Sequence, residues 1–540
     1  KVGFFGMETP ETQTKANPAL IKGLTFATGD AFTKAAADQV AALKDADVVI
    51  CLAHLGVDAE SAPYRSTDLY AAVKGIDFVV DGHSHTVMTK GEKGEPIQST
   101  GTAFKNIGVI VIDDASKKIE SNSLYEIKED TAKDATVAAA AKVIVDRVNN
   151  EYGTKFATSK VELNGAKAPN GNRDVETNNG DLITDAMRWK VLQNKDGLTV
   201  NEDHVVAITN GGGIRAAIAK GDVTKKDINT VLPFGNTVAV VYVTGEQLLE
   251  ALEASTFSTP TAVGGFPQVS GINFTIHTGK AYDKNDATYP ESTYYGPKTI
   301  NRVVINSVNG KEFKANEVYA VVTNNFCAAG GDTYYAFKAA SAQFDTGIPL
   351  DEAVMEYVTK ELKGVIGEQY AAPQGRILLN PFKDVKVSSW FGKYVIDLYN
   401  DGIINGTSAT TYAPNDTLTW AAALKLLLVS HGDLKAADAT GADWSKNTIA
   451  KAAELGLVAA DLDGAKAISR LEFCQVAAKL NKLAESKTES KFTDCTDGYV
   501  MALVDAKVIN GMTETTFEPS ATLTRAQIAK IIYQLNLIEK

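Results

Sequence analysis

The sequence predicts an α/β protein that ends in a helical repeat array. Near-continuous apolar runs such as HVVAITN and TVAVVYVT are typical of strands in a sheet that is covered on both faces. Amphipathic helical stretches alternate with these strands, and glycine-rich loops follow two of them. Beyond residue 380 similar segments recur with a period of about 50 residues, which indicates an array of small helical units.

Composition and charge limit the classes of function. The 540 residues are 44% hydrophobic and 22% charged, as in soluble proteins with several cores. The net charge of −12 argues against binding to nucleic-acid polymers or anionic membranes, although a local anion site remains compatible with it. No apolar run approaches the roughly 20 residues that span a bilayer, so we expect no membrane span.

The pattern divides the chain into four parts. Residues 1–128 and 155–380 are two α/β regions, and residues 129–154 are Ala-rich with the periodicity of a connecting helix. The first residues, KVGFFG, are typical of a buried strand and not of a signal peptide, so we expect the chain to begin within a domain. Residues 381–540 hold the repeats, in three copies at 382–430, 436–488 and 492–540.

The cysteines show no tight metal-ligand spacing, and we expect buried free thiols. A disulfide between the last two remains open, because the sequence gives no distance between them. The four cysteines are Cys51, Cys327, Cys474 and Cys495.

Three of the six histidines follow predicted strands. His54 ends the strand of AHLG, and His83 and His85 follow the strand that leads into DGHSH. Because strand ends of an α/β sheet meet at one edge, these imidazoles can converge on a metal ion such as Zn, Mn, Ni or Fe. Asp81 precedes Gly82, and we expect it to support the turn and not to ligate.

The run NGGGIR, with LPFGN about twenty residues later, indicates a nucleotide site. Its glycines allow the backbone to approach a ligand closely, and the planar guanidinium of Arg215 suits a phosphate. Phe234 lies in a Pro-Phe-Gly turn that can present a ring face. An anion clamp beside an aromatic platform is what a nucleotide requires.

Six segments, in this order, resemble the 5′-nucleotidase family: AHLG, GIDFVVDGHSH, ETNNGDLITDA, NGGGIR, LPFGN and NFCAAGGD. The resemblance covers roughly residues 1–380. It implies part of a calcineurin-like metallophosphoesterase sandwich, then a linker helix, then the family's C-terminal α/β substrate-binding domain. It also implies the release of phosphate from nucleotides by two-metal catalysis. Two other activities of the family stay open, UDP-sugar hydrolysis and 2′,3′-cyclic-nucleotide phosphodiesterase activity.

The same resemblance implies two divalent metal ions, Zn, Mn or similar. His54 and His83 would ligate one ion and His85 the other. The family's remaining ligands and its catalytic His–Asp pair lie in upstream DxH and GNH(E/D) segments; GNH(E/D) does not occur in these 540 residues, and their one DxH triplet, Asp81-Gly82-His83, lies within DGHSH. We therefore expect them upstream, and we expect this chain alone to hydrolyse almost nothing.

The resemblance assigns the substrate side as well. Arg173 and Arg215 match the arginines on the phosphate and ribose side, Phe234 and Phe326 match the rings that sandwich the base, and Asp332 matches a carboxylate that binds ribose hydroxyls. The full expected set is Arg173, Asn210, Gly212, Arg215, Phe234, Asn236, Phe326 and Asp332.

The repeats resemble three S-layer homology modules, which bind secondary cell-wall polymers through the Arg of a Thr-Arg-Ala-Glu motif. Arg525 in LTRAQ and Arg470 in ISRLE match that Arg, whereas Trp420 replaces it in the first module. The resemblance implies an extracellular protein held at the cell wall or S-layer. A non-catalytic wall-binding protein is the alternative from a different class.

Overall fold

The computed structural model describes residues 1–15, 21, 23–436, 438 and 440–538. These residues form two compact units. Within these ranges no helix is both long enough and apolar enough to cross a bilayer. The first unit comprises residues 1–272, 282–300 and 307–376, and the second comprises residues 273–281, 301–306 and 377–540.

The first α/β region is built on a five-stranded sheet in the order β1-β2-β3-β5-β4, parallel except at β4. Both faces of β2 are buried where its sequence is continuously apolar. Val49 and Cys51 pack towards α2, while Val48 and Ile50 pack towards the hairpin β6–β7. The elements are β1 (Val2–Glu8), α1 (Thr12–Lys15), α2 (Asp30–Ala42), β2 (Val48–His54), α3 (Ser66–Ala72), β3 (Phe78–Asp81), β4 (Val87–Met88), β5 (Ile97–Thr100), β6 (Asn106–Asp113) and β7 (Lys118–Glu126).

Strand β1 lies at the edge of this sheet. Phe4 on its outer face is 56% exposed, and Val2 beside it is exposed too, so the region has an open apolar edge. The Ala-rich stretch forms helix α4 (Ala135–Tyr152), which Asp134 caps and which buries no residue.

The second α/β region contains a five-stranded sheet in the order β12-β9-β17-β11-β18. Strands β9 and β17 are parallel, so Asn210 and Asn324, their last residues, lie at the same edge. Helix α5 is capped by Thr177 and buries Leu182 and Met187 against the sheet. The elements are β8 (Lys155–Ser159), α5 (Asn178–Leu192), β9 (Val205–Asn210), β10 (Gly221–Thr224), α6 (Lys225–Val231), β11 (Thr237–Thr244), α7 (Gly245–Ser255), β12 (Pro267–Ser270), β13 (Ile272–Ile276), β14 (Lys284–Thr288), β15 (Tyr295–Pro297), β16 (Val303–Val308), β17 (Val318–Asn324), α8 (Asn325–Ala328), α9 (Tyr335–Lys338), β18 (Ala342–Pro349), α10 (Leu350–Glu356), β19 (Val365–Ile366) and β20 (Ile377–Leu379).

The smaller sheets complete this part of the chain. Strands β10, β8 and β19 form one, β16, β13 and β20 form another, and β14 and β15 form a separate hairpin. The hairpin was not foreseen from the sequence, since every residue of β14 is exposed and polar or small.

The repeats close on one another in a ring. The backbone N–H of Trp420 donates to Lys466 O, that of Arg470 to Ala521 O and that of Arg525 to Asp416 O, each at 2.8 Å. Each copy thus bonds to the next, and the third bonds back to the first. Their helices share one apolar core. The helices are α11 (Gly392–Asn400), α12 (Trp420–His431), α13 (Trp444–Glu454), α14 (Arg470–Leu480), α15 (Gly498–Asp505) and α16 (Arg525–Asn536).

The aspartates of the FKDV and FTDC segments have the same structural role. Asp384 accepts the backbone N–H groups of Tyr412 and Ala413, at 2.9 and 2.7 Å. Asp494 accepts the backbone N–H groups of Phe517 and Glu518, each at 2.8 Å. A carboxylate that satisfies two amide donors fixes a turn, which explains why the repeat retains it.

Candidate functional site

Two of the strand-end histidines meet. His83 Nδ1 lies 3.2 Å from His54 Nε2, and their ring centroids are 5.0 Å apart. The backbone of the DGHSH loop is unusual, because His83 and His85 have φ angles of 75° and 58°. Non-glycine residues rarely adopt this left-handed conformation, and such strain concentrates at functional sites.

Asp81 supports the loop that follows His54. Its Oδ1 accepts the backbone N–H groups of Leu55 and Gly56, at 3.0 and 3.2 Å, and its Oδ2 accepts the Ser66 hydroxyl at 2.6 Å. This buried carboxylate therefore holds the loop after His54, whereas its place before Gly82 predicted a role in its own turn.

Glu11 is a partner of the histidine pair that sequence reasoning missed. Its Oε2 lies 2.9 Å from His83 Nε2, and the carboxylate is buried. The signal was available in METPET, because this segment follows β1 at the same sheet edge, and Thr9 N–H bonds His54 O at 3.1 Å. A carboxylate on the second ring nitrogen fixes the orientation of an imidazole.

The histidine pair fits one part of a metal centre. Zn–N bonds of about 2.0–2.1 Å at a tetrahedral angle put neighbouring ligand nitrogens roughly 3.4 Å apart, close to the separation of the His54 and His83 nitrogens. Among the residues that the structure describes, no group of three or more His, Cys, Asp or Glu side chains forms a complete ion site. The spacing of the pair therefore fits two neighbouring ligands of such an ion.

His85 faces the cations of the second α/β region. Partial burial lowers the pKa of this imidazole first, and the positive charges of Arg215, Lys167 and Arg173 lower it further. Burial and the neighbouring Arg173 also lower the pKa of Arg215. Lys167 Nζ lies 2.9 Å from the carboxylate of Asp58, which follows the AHLG loop. The positive charges of the second region therefore lie close enough to His85 to disfavour its protonated form.

Phe234 presents its ring in a cleft beside these cations. The side chain is 58% exposed, and the guanidinium carbon of Arg215 lies 5.5 Å from its ring centroid. Arg215 also donates to Gly212 O at 3.3 Å. The cleft is lined by Thr209, Gly213, Leu232, Phe234, Asn236, Asn324 and Leu350.

Phe326 differs from Phe234 in its exposure. Its side chain is only 9% exposed, and a Cβ atom at Gly331 would collide with its ring. The N–H of Thr237 donates to Asn325 Oδ1 at 3.3 Å, which ties the turn of Phe234 to the short helix of Phe326. The Phe234 turn and the Phe326 helix are therefore adjacent, with the ring of Phe234 exposed and that of Phe326 largely buried.

A buried polar network adjoins the cleft through Asn324, which lines it. Asn210 Nδ2 donates to Asp332 Oδ2 at 2.8 Å, and Asn210 Oδ1 accepts from Asn324 Nδ2 at 3.0 Å. Asp332 is buried and has a φ of 51°. The Gly212 N–H donates to Gly264 O at 2.7 Å, and a Cβ atom at Gly212 would lie 3.0 Å from that oxygen. A side chain at Gly212 would therefore crowd the loop.

The two repeat arginines have different surroundings. Arg470 is 7% exposed, donates to Asn510 O at 2.7 Å and lies over the ring of Phe517. Arg525 is half-buried, donates to Tyr412 O and Asn405 O at 2.7 and 2.9 Å, and lies over the ring of Tyr412. Each arginine thus holds the neighbouring repeat.

Family models match both parts of the chain. Residues 155–339 match the 5′-nucleotidase C-terminal domain, and residues 381–423 and 494–529 match the S-layer homology domain. The matched segments of the array include those headed by FKDV and FTDC, the two most similar copies of the repeat.

Individual relatives agree with these models. The chain is 32% identical over 401 residues to the trifunctional nucleotide phosphoesterase protein YfkN of Bacillus subtilis, covering 70% of this chain and 24% of that protein. It is 27% identical over 417 residues to a snake venom 5′-nucleotidase of Naja atra, covering 70% and 72% of the two chains. It is also similar to the crystal structure of a 5′-nucleotidase precursor from Thermus thermophilus, with 27% identity, a TM-score of 0.52 and coverage of 70% and 72%.

The family matches and the relatives agree with the residues found at the strand ends of the two α/β regions. The mixed α/β architecture is that of the Thermus protein, and S-layer homology domains indicate attachment at the cell surface. Residues 155–339 belong to the family of 5′-nucleotidase C-terminal domains, and S-layer homology domains follow them.

Proposed function

We propose that this chain forms the nucleotide-binding part of a cell-surface 5′-nucleotidase-type hydrolase, which releases phosphate from nucleotides. The observation that carries the proposal is the meeting of His85 with Arg215, Arg173 and Lys167. A phosphate held by the arginine fork would lie beside imidazoles that suit metal ions.

The orientation of the substrate follows from the cleft. The base would stack on Phe234, with Phe326 on the other side after a small rearrangement, and such stacking contributes roughly 1–3 kcal/mol for any base. The ribose hydroxyls would donate to the buried carboxylate of Asp332. The phosphate would then point from Arg215 and Arg173 towards the histidines.

His54 and His83 would hold one divalent ion and His85 a second, each with ligands that these residues do not supply. When bound, two such ions polarise a phosphoryl group and activate a water molecule for in-line attack. Glu11 and Asp81 would keep His83 and the His54 loop in place. Three imidazoles supply fewer donors than two ions require, and we propose that the 540-residue chain alone binds nucleotides and hydrolyses very little.

Phosphate release from AMP, UDP-glucose and 2′,3′-cyclic AMP, each with and without Mn²⁺ or Zn²⁺, tests the proposal. The 540-residue chain should bind AMP and release almost no phosphate, whereas a longer protein that also carries DxH and GNH(E/D) segments should release phosphate from AMP in a metal-dependent way. Preference for another of the three substrates would replace the 5′-nucleotidase assignment. Failure of both proteins to bind any of them would favour a non-catalytic wall protein.

For the repeats, we propose binding to a secondary cell-wall polymer. The half-buried Arg525 supports this role, because part of its guanidinium faces solvent beside the ring of Tyr412. Arg470 would contribute mainly by shaping the neighbouring groove, since its guanidinium is covered.

A further inference from the structure

Asn324 occupies a fully buried position at the end of β17. Its Oδ1 accepts the backbone N–H of Cys327 at 2.8 Å, which caps the short helix α8. Its Nδ2 donates to Thr209 Oγ1 at 2.9 Å and to Asn210 Oδ1 at 3.0 Å. Turning this amide over would lose the bonds to the Cys327 N–H and to Asn210 Oδ1, so its orientation is determined.

Asn324 in turn determines the orientation of Asn210. The Oδ1 of Asn210 accepts from Asn324 Nδ2 and from the Cys327 thiol, the latter at 3.4 Å. Its Nδ2 is left to donate to Asp332 Oδ2 at 2.8 Å. The side chain that the sequence suggested as a ligand contact is therefore committed to the protein at both ends of its amide.

Asp332 receives the bond from Asn210. Its carboxylate is buried and its backbone is left-handed, so the direction of its side chain is constrained. A carboxylate that accepts hydroxyl protons must present a particular oxygen to them. The donor from Asn210 occupies Oδ2 and so selects how the carboxylate is presented.

We propose that Asn324 is the positioning residue of the nucleoside site: through Asn210, its amide sets the orientation of the Asp332 carboxylate that receives the ribose hydroxyls. The inference rests on the proposed function, because it requires a nucleoside in this cleft. Asn324 lines the cleft but is fully buried, and it acts on the ribose site through Asn210.

Replacing Asn324 by aspartate separates its two roles, which are to orient Asn210 and to cap helix α8. Asn324→Asp keeps an oxygen for the Cys327 N–H but turns a second oxygen towards Asn210 Oδ1. Asn210 would then reverse its amide and direct an oxygen at Asp332, where a donor is needed. Asn324→Ser is a second variant, because serine caps helices well but is too short to reach Asn210.

The test compares adenosine with 2′,3′-dideoxyadenosine, which lacks the 2′- and 3′-hydroxyls, by calorimetric titration of the 540-residue protein. We expect either variant at Asn324 to bind adenosine about tenfold more weakly and dideoxyadenosine as the wild type does. Asp332→Asn should show the same selectivity, and the double variant Asn324→Asp, Asp332→Asn should be no weaker than Asp332→Asn alone, because the two residues act as one unit.

Asn178 provides a matched control. It is also buried, accepts one backbone N–H from Asn164 at 2.8 Å, and donates to Glu162 O and Tyr370 O at 2.9 and 2.8 Å. Asn178→Asp should lower the thermal midpoint about as much as Asn324→Asp does, and it should leave adenosine affinity unchanged.

The outcomes are distinct. Three results would each contradict the positioning role of Asn324 and leave the proposed function intact. They are unchanged adenosine affinity in both Asn324 variants, an equal loss of affinity for both nucleosides, and an equal loss of affinity in Asn178→Asp. A wild-type protein that binds neither nucleoside would overturn the proposed function, and the relay with it.

Discussion

At the scale of single residues, the two phenylalanines of the expected sandwich have different energetic roles. Phe326 is packed beneath Gly331, and its removal would leave a cavity. Phe234 is mostly exposed, and its fixed presentation by the Pro-Phe-Gly turn has no evident stabilising purpose. An exposed ring in a polar cleft is more informative about binding than a buried one.

Phe234→Ala should therefore weaken AMP binding without destabilising the fold. We expect about a tenfold loss of affinity by calorimetric titration, because base stacking contributes roughly 1–3 kcal/mol, and a thermal midpoint within about 1 °C of the wild type. The control is Phe344→Ala, an exposed ring on β18 outside the cleft. Equal AMP affinities in the two variants would show that Phe234 is not a stacking platform.

Asp181 makes a second residue-scale prediction, on pH. This carboxyl is fully buried in the first turn of α5, near Glu176, Asp185 and Arg376. Burial, and then the charge of Glu176, raise its pKa from 3.8 to about 9. The folded state thus holds this proton more tightly than the unfolded state. Its stabilising contribution is complete below the unfolded pKa and is lost as the pH rises towards 9.

Asp181→Asn should remove that contribution to the pH dependence. Measured by denaturant unfolding from pH 5 to 9, the free energy of unfolding of the wild type should fall relative to that of the variant, by at most about 1.4 kcal/mol for each pH unit. Asparagine keeps the acceptor for the Gln374 N–H, which is 3.0 Å from Asp181 Oδ2. Asp286→Asn, at an exposed position of β14, serves as control. Parallel pH profiles for wild type and Asp181→Asn would contradict the raised pKa.

At the scale of elements, the contacts between repeats depend on arginines whose local sequences look alike. Arg470 and Arg525 both begin a helix after a Ser or Thr cap. Each reaches the backbone carbonyl of an Asn-Gly loop in the next repeat, at Asn510 and Asn405. Trp420 stands at the corresponding place in the first repeat, so one of the three junctions is apolar.

Arg470→Ala should destabilise the array more than Arg525→Ala. Removing a covered guanidinium that bonds a carbonyl and lies over a ring lowers the free energy of unfolding by about 3 kcal/mol. Removing a half-exposed guanidinium lowers it less, because water partly replaces the lost contacts. Thermal unfolding followed by circular dichroism measures both, with the exposed Lys446→Ala as control. The reverse ranking would show that burial of Arg470 does not determine its contribution.

The same elements show what the sequence reveals about this fold. Strands β9, β11 and β17 were predictable because burial on both faces requires continuous Val, Ala and Ile. Strand β18 was missed because it is mostly exposed and shows no apolar alternation. The repeats were visible because FKDV and FTDC carry the same turn-fixing aspartate.

The site was predictable in its residue types more than in its contacts. The approach of His54 to His83 followed from strand ends that share an edge. The use of Asn210 did not, because its partners Asn324 and Asp332 lie 114 and 122 residues further along the chain. Burial of Arg470 was also hidden, since it depends on a ring supplied by the next repeat.

At the scale of the whole molecule, the two proposed ligand sites belong to separate compact units. The proposed nucleotide residues all belong to the first unit, and both repeat arginines belong to the second. The net charge of −12 opposes unspecific attachment to anionic polymers, so wall binding would require specific contacts at the array. Two sites without shared residues should respond to mutation independently.

This independence gives the last prediction. The 540-residue protein should co-sediment with cell-wall sacculi that retain their secondary polymers and not with sacculi stripped of them. Arg525→Ala should reduce co-sedimentation severalfold and leave AMP affinity unchanged, whereas Phe234→Ala should do the opposite. Circular dichroism at the assay temperature ensures that each variant is folded. Loss of AMP affinity in Arg525→Ala, or of wall binding in Phe234→Ala, would mean that the two activities are coupled. Binding of the wild-type protein to stripped sacculi would show that the secondary polymer is not the ligand.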